Sequence, residues 1–247
     1  MLAVDNRVIM ISGASRGLGL ALGQTLQAAG YRLSLGVRNP AAAEFRNGGW
    51  DESRVMAYPF DAREAASPRA WMEATVARFG QIDGVVNNAA IDTFVGIETG
   101  PEVSEDDQER NFDDLWTVNV KAPLRLIRAA LPHLKRSGHG RIVNVASLSG
   151  KRIPSLAIGY PMTKFALVAL TKGLQDLGQD CGIRSTVLCP GFIRTKMSAD
   201  RAVAVGMKPE NMTTPEELSE TIDFLLRLPN STPIEELLIN NRFEDTL

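Results

Sequence analysis

Little in this chain points to metal, disulfide, nucleic-acid or membrane chemistry. Its 247 residues hold two cysteines, Cys181 and Cys189, with neither metal-ligand spacing nor a histidine close by. They read as small core residues of a reducing compartment rather than as a disulfide. Neither sign of charge dominates: 27 Lys and Arg face 29 Asp and Glu, for a formal net charge of −2. Without a basic stripe, recognition of nucleic acid or of an anionic membrane surface is not expected. No stretch approaches the roughly 18 apolar residues of a membrane span. Met1 runs into an Asp5-Asn6-Arg7 turn and a strand, which leaves no room for a secretion leader, and the expected location is the cytoplasm. Internal repeats and linkers are missing too, so residues 1–247 are expected to form one domain. The 44% hydrophobic content is enough to bury a large core.

What is present alternates. Apolar runs of strand length fall at 7–11, 33–37, 54–60, 82–86, 142–146 and 185–188, with a short one at 236–239. Helical segments are expected up to Gly30, over 67–79 with Trp71, Val76 and Phe79 near one face, and over 113–136, 160–180 and 215–228. Residues 98–114 read as a solvated acidic loop or helix start. Residues 196–212 show no strong period and are expected to cover the substrate. Continuously apolar strands alternating with helices describe an α/β fold, a doubly wound parallel sheet of Rossmann-like type in three layers.

Such sheets bind ligands at the carboxyl ends of their strands, near the switch point in strand order. The chemistry-bearing residues gather there: a Gly-rich turn, Arg38, Asp61, Asn88, Ser147 and Pro190-Gly191 all sit at or just past strand ends. The turn, Ser12-Gly13-Ala14-Ser15-Arg16-Gly17-Leu18-Gly19, has the spacing Gly-x-x-x-Gly-x-Gly. Its glycines allow a tight approach to a ligand, and the helix that follows offers free N–H groups to a diphosphate. After the second strand, Val37 and Arg38 stand where a carboxylate would select the unphosphorylated nicotinamide dinucleotide. Arg38, with Arg16 in the turn, forms a dicationic site for a 2′-phosphate, which favours NADP(H) over NAD(H). Tyr160 and Lys164 lie four apart on an expected helix, on one face, and Ser147 lies thirteen residues before the tyrosine. An ammonium beside a phenol lowers the phenol's pKa, making Tyr160 a usable acid or base with a hydroxyl at hand.

These residues resemble the short-chain dehydrogenase/reductase family over nearly the whole chain. The matching elements are the Gly-rich turn, Asp61, Asn87-Asn88-Ala89-Ala90, Asn119, Ser147, Tyr160-x-x-x-Lys164 and residues 190–195. The resemblance implies a catalytic set of Asn119, Ser147, Tyr160 and Lys164. In it, Tyr160 is the general acid for carbonyl reduction or the base for alcohol oxidation. Lys164 tunes the tyrosine and holds the nicotinamide ribose, Ser147 polarises the substrate oxygen, and Asn119 anchors a water leading to solvent. For the cofactor, the resemblance implies Gly13, Ser15, Arg16, Gly17, Leu18 and Gly19 at the phosphates and Arg38 at the 2′-position. Asp61 and Ala62 fall at the adenine, Asn88 along the adenosine ribose, and Ile193 and Thr195 at the carboxamide. The bland alternatives are that Asn119 bonds backbone groups and that Asp61 caps a turn. The resemblance also implies a small-molecule carbonyl or alcohol substrate and a homodimer or homotetramer built through the helices near 113–136 and 160–180.

Three departures from the family pattern stand out. Ser12 replaces threonine and keeps the hydroxyl, Ala90 adds a methyl beside the nicotinamide pocket, and Pro161 directly follows Tyr160. A proline is tolerated in a helix's first turn, which puts Tyr160 at the start of its helix. The C-terminal segment is similar to the branch of NADP-dependent 3-hydroxy acid and serine dehydrogenases. A substrate of that kind needs a cation for its carboxylate, and Lys151, Arg152 and Arg194 are the candidates. A dinucleotide-binding regulator without turnover is the alternative of another class; it would be expected to lack Tyr160, Lys164 or Ser147, and all three are present.

Overall fold

Alternation along the strands supplies two cores at once. The structure, a computed structural model, describes residues 1–98, 103–153 and 155–241. In β1 (Val8–Ser12), Ile9 and Ile11 join one apolar cluster and Met10 joins another on the opposite face. The strands β4 (Gly84–Asn87) and β5 (Arg141–Val145) divide in the same way, Val86, Val143 and Val145 to the first cluster and Val85 and Ile142 to the second. Strands apolar on both faces need helices on both faces, and each fully buried aliphatic side chain contributes roughly 1.5–3 kcal/mol.

The first face is covered by α1 (Gly17–Ala29) and α8 (Pro215–Arg227), which pack on each other. The second is covered by α3 (Ser67–Phe79), α5 (Ala122–Ser137) and α6 (Gly159–Gly178). With β2 (Arg32–Val37), β3 (Val55–Pro59), β6 (Arg184–Pro190) and β7 (Glu236–Ile239), the sheet has seven strands in the order β3-β2-β1-β4-β5-β6-β7, every pair parallel. This is the expected doubly wound three-layer α/β sheet. Among the described residues no helix is long and apolar enough to cross a membrane.

Local chemistry explains the tight places. Gly36 faces the Trp71 ring, and a Cβ there would lie 2.8 Å from it. Trp71 is fully buried, and its indole N–H donates to Ser34 Oγ at 2.8 Å. Helix α8 opens on a capping box, Thr214 Oγ1 accepting from Glu217 N at 3.1 Å while Glu217 Oε2 accepts from Thr214 N at 2.7 Å.

The expected helix over 113–136 is three pieces: α4 (Glu105–Trp116), a π-helical turn (Thr117–Lys121), and α5. Ser104 caps α4 by accepting from Asp107 N, and three acids follow in its first turn, so most of the acidic stretch is helix rather than loop. Residues 99–102 of that stretch, and Pro154, lie outside the described residues. The segment read as aperiodic contains α7 (Lys196–Ala204). A four-residue helix, α2 (Ala43–Arg46), was not expected.

Candidate active site

The chain leaves β1 toward one face of the sheet and β4 toward the other, and the gap between these departures opens a cleft of about 370 Å³ at the carboxyl ends of the strands. The Gly-rich turn forms its floor. Gly13 has φ 72°, and a Cβ on it would lie 2.9 Å from Ala89 Cα. A Cβ on Gly19 would collide with the Gly13 carbonyl and come within 2.6 Å of Asn88 Nδ2. Ser12 fastens the two sides: its hydroxyl accepts from the backbone N–H of Asn88 and of Ala89, each at 3.0 Å. Asn88 Nδ2 returns bonds to the carbonyls of Ser12 (3.0 Å) and Gly13 (3.2 Å). Helix α1 begins with Arg16 as its N-cap, without a side-chain cap and without an acid in its first turn. Its leading N–H groups and positive dipole end therefore suit an anion.

Arg16 and Arg38 both line the cleft and are exposed, and neither forms an ion pair among the described residues. Ser15, Gly17, Leu18, Asp61, Ala62, Asn88, Ile193 and Thr195 line the same cleft. Gly19 does not, because it is spent on the packing of helix against turn. Asp61 does make a turn, its Oδ1 accepting from Arg63 N at 2.9 Å, and its second carboxylate oxygen has no hydrogen-bond partner among the described residues.

Tyr160 is the second residue of α6, whose N-cap is Ile158, so Pro161 falls in the first turn where its missing N–H costs nothing. One turn on, Lys164 holds its Nζ 5.3 Å from the centroid of the Tyr160 ring and donates to the Val145 carbonyl at 3.0 Å. Burial, opposed by the nearby carboxylate of Asp92, pushes the Lys164 pKa down to about 8. Ser147 caps a short 3-10 turn (Leu148–Gly150), accepting from Ser149 N at 3.1 Å, with its hydroxyl in hydrogen-bonding reach of the Tyr160 phenol.

The Tyr160 phenol is raised well above its ordinary value, not lowered as the sequence suggests. Burial is the main cause and the negative charge of Asp92 adds to it, against the Ser147 hydroxyl and the Arg201 guanidinium. Lys164 is engaged by a backbone carbonyl and has lost proton affinity itself, so the neighbouring ammonium does not decide the balance.

Asn119 sits in the π-helical turn behind the cleft and is 1% exposed. Its Nδ2 donates to the carbonyl of Ile91 at 2.9 Å and to Thr163 Oγ1 at 3.1 Å, while its Oδ1 accepts from Ile91 N at 2.9 Å. The side chain thus clamps the segment that follows β4, with both amide hydrogens engaged.

Two residues of this centre were not legible in the sequence. Arg201, on α7, donates through Nη2 to Asp92 Oδ1 at 2.9 Å, and its Cζ lies 5.6 Å from the Tyr160 ring centroid. Asp92 directly follows the clamped Ile91, but nothing in its neighbourhood along the chain announces a partner 109 positions away.

Comparison with known proteins gives a coherent picture. A short chain dehydrogenase family profile matches residues 7–204. An agropine synthesis reductase of Rhizobium rhizogenes is 39% identical over 224 residues, which is 90% of this chain and 50% of that protein. The chain therefore spans about half the length of this relative. A putative ketoacyl reductase of monensin polyketide synthesis from Streptomyces virginiae is 33% identical, over 78% of this chain and 73% of that one. Among solved structures, an alcohol dehydrogenase from the archaeon Thermococcus sibiricus, complexed with 5-hydroxy-NADP, superposes with a TM-score of 0.79. It is 30% identical, with 98% of this chain and 99% of that one covered.

Proposed function

From the premise that the chain belongs to the short-chain dehydrogenase family, we propose that it is an NADP(H)-dependent oxidoreductase acting on a carbonyl or secondary alcohol carbon. The observation that carries this reading is that Tyr160 and Lys164 line a cleft floored by the Gly-rich turn, with the Ser147 hydroxyl in reach of the phenol. A regulator without turnover has no use for that assembly.

The cleft fits a nicotinamide dinucleotide. Glycines 13 and 19 stand where a side chain would collide, the α1 N-terminus is open to a diphosphate, and Arg16 and Arg38 are without carboxylate partners among the described residues. When bound, the dinucleotide supplies or takes up the hydride. The protein moves the proton. In reduction, Ser147 donates a hydrogen bond to the substrate oxygen, and the proton on Tyr160 Oη passes to that oxygen as the carbonyl carbon becomes C–H. The phenol, raised above its ordinary value, holds its proton at neutral pH and so has it to give. Lys164 would meet the nicotinamide ribose, Asp61 and Ala62 the adenine, Asn88 the adenosine ribose, and Ile193 and Thr195 the carboxamide.

Preference for the phosphorylated cofactor rests on Arg16 and Arg38, and the Thermococcus sibiricus relative was solved with an NADP derivative. Charge-assisted bonds to the 2′-phosphate are worth about 1.5–3 kcal/mol each. Arg38→Asp should therefore lower kcat/KM with NADPH by roughly ten- to a hundredfold and spare NADH; an unchanged NADPH to NADH ratio removes Arg38 from this role. A 3-hydroxy acid substrate loses two of its three candidate cations, because Lys151 is committed to Glu236 at 2.7 Å and Arg194 lies exposed beside Glu217, which leaves Arg152. An NADPH-oxidation screen over aldehydes, ketones, diketones and 3-oxo acids should favour neutral carbonyl compounds, and a clear preference for 3-oxo acids overturns that part. Assembly as a homodimer or homotetramer, supported by the exposed Met162 and Phe165 on α6, belongs to the same proposal, as does a single-domain protein of the cytoplasm.

A further inference from the structure

Helix α7 is held to the protein by little apolar burial. Of its side chains only Ala202 is buried, while Met197 and Val203 are exposed. Its start is tied down by Ser198, whose hydroxyl donates to the Ile193 carbonyl. Near its other end the tie is Arg201, bonded to Asp92. Asp92 is itself placed by the protein's interior: Asn119 grips the backbone N–H and carbonyl of Ile91, one residue earlier. The guanidinium so placed lies over the ring of Tyr160, which Lys164 approaches from within α6.

We propose that Asp92 and Arg201 act as one positioning pair, which docks α7 over Tyr160 and adjusts how firmly that phenol holds its proton. The inference rests on Tyr160 being the acid–base group. The two members pull in opposite directions. The carboxylate disfavours a phenolate nearby and the guanidinium favours one. The other groups facing the phenol are the Ser147 hydroxyl and the Lys164 ammonium, with Cys189 behind Lys164 and the Lys151–Glu236 pair beyond it. A pair that closes the cover and balances the phenol couples two events: α7 cannot lift without removing the cation that offsets Asp92.

Two measurements on the full chain test this. The first is hydrogen exchange of the amides over 196–206 in the wild type, Asp92→Asn, Arg201→Gln and the double variant. Each single substitution should speed exchange there by about tenfold or more, the double variant should add nothing, and Arg201→Lys should restore part of the protection. Unchanged exchange, or single effects that multiply in the double variant, overturns the pair.

The second is ionisation of the Tyr160 phenol with rising pH, read as the alkaline limb of the ultraviolet absorbance difference between each protein and its Tyr160→Phe counterpart, a signal to which Lys164, lowered to about 8, does not contribute. Arg201→Gln, which leaves the Asp92 carboxylate unopposed, should move that limb to higher pH, and Asp92→Asn, which removes the carboxylate together with the guanidinium's anchor, should not raise it. A merely structural role moves both in one direction or neither, and that result also overturns the proposal. If Tyr160→Phe keeps wild-type turnover, the acid–base reading itself falls. If Tyr160→Phe is inert while the limbs move together, only the pair does.

Discussion

Lys164 shows how far this site is set against stability. The residue is 2% exposed, its ammonium offset by one backbone carbonyl and the charge of Asp92, and its pKa falls from 10.5 to about 8. Between those values the unfolded chain holds the proton and the folded chain does not. The penalty on folding is therefore complete below pH 8 and fades as pH rises toward 10.5. Lys164→Met should raise folding stability near pH 7 by on the order of 2 kcal/mol while lowering turnover severely. Urea melts at pH 7 and pH 10 check this: the advantage of the methionine variant should shrink at the higher pH, and an advantage that does not shrink contradicts the assignment. Single residues of this kind were legible only in part. Pro161 placed Tyr160 at the opening of its helix, because proline's geometry is local. The direction of the Tyr160 shift was not legible, because burial and Asp92 come from the tertiary structure.

Elements whose ends carry local chemistry were easier to read than elements without it. Helix α8 announces itself with Thr214-Pro215-Glu216-Glu217, and Thr214→Ala should cost about 1 kcal/mol through loss of the capping box, measured by denaturant midpoint. Helix α7 gives no such notice, since with Ala202 as its one buried side chain it has no apolar stripe to show a period. The π-helical turn was invisible for a different reason: an inserted residue leaves the hydrophobic pattern of α4 and α5 nearly intact, and only the hydrogen bonds reveal it. Ser104 with its three following acids was, by contrast, an unused cap signal. Packing between elements is the least legible of all. Gly36 looks like any strand glycine until Trp71 is seen against it. Gly36→Val should destabilise by about 1–3 kcal/mol through overpacking of that ring, again by denaturant midpoint, and a neutral result would mean the indole has room to move.

At the scale of the whole molecule, the order of the strands does most of the functional work. Residues far apart along the chain meet because β1 and β4 are neighbours whose connections leave to opposite faces. At the far end of the sheet, buried arginines close the structure: Arg7 donates to the Leu226 carbonyl at 2.7 Å and Arg141 to that of Leu228 at 2.6 Å, satisfying the C-terminal end of α8. The site end stays open, with Arg16 and Arg38 free of ion pairs among the described residues, which suits an anionic dinucleotide. Motif order along the chain was enough to foresee this division, since a doubly wound sheet leaves few places for a ligand. The Asp92–Arg201 contact was beyond reach, because it joins the loop after β4 to helix α7, whose meeting only the folded chain defines. The central claim is that Tyr160 delivers the proton in a cleft that otherwise binds its dinucleotide unaided. Tyr160→Phe tests it most directly, through turnover and NADPH binding measured on one preparation. The account predicts a loss of turnover of at least about a thousandfold with NADPH affinity within a few fold of wild type. Turnover that survives the substitution would contradict it.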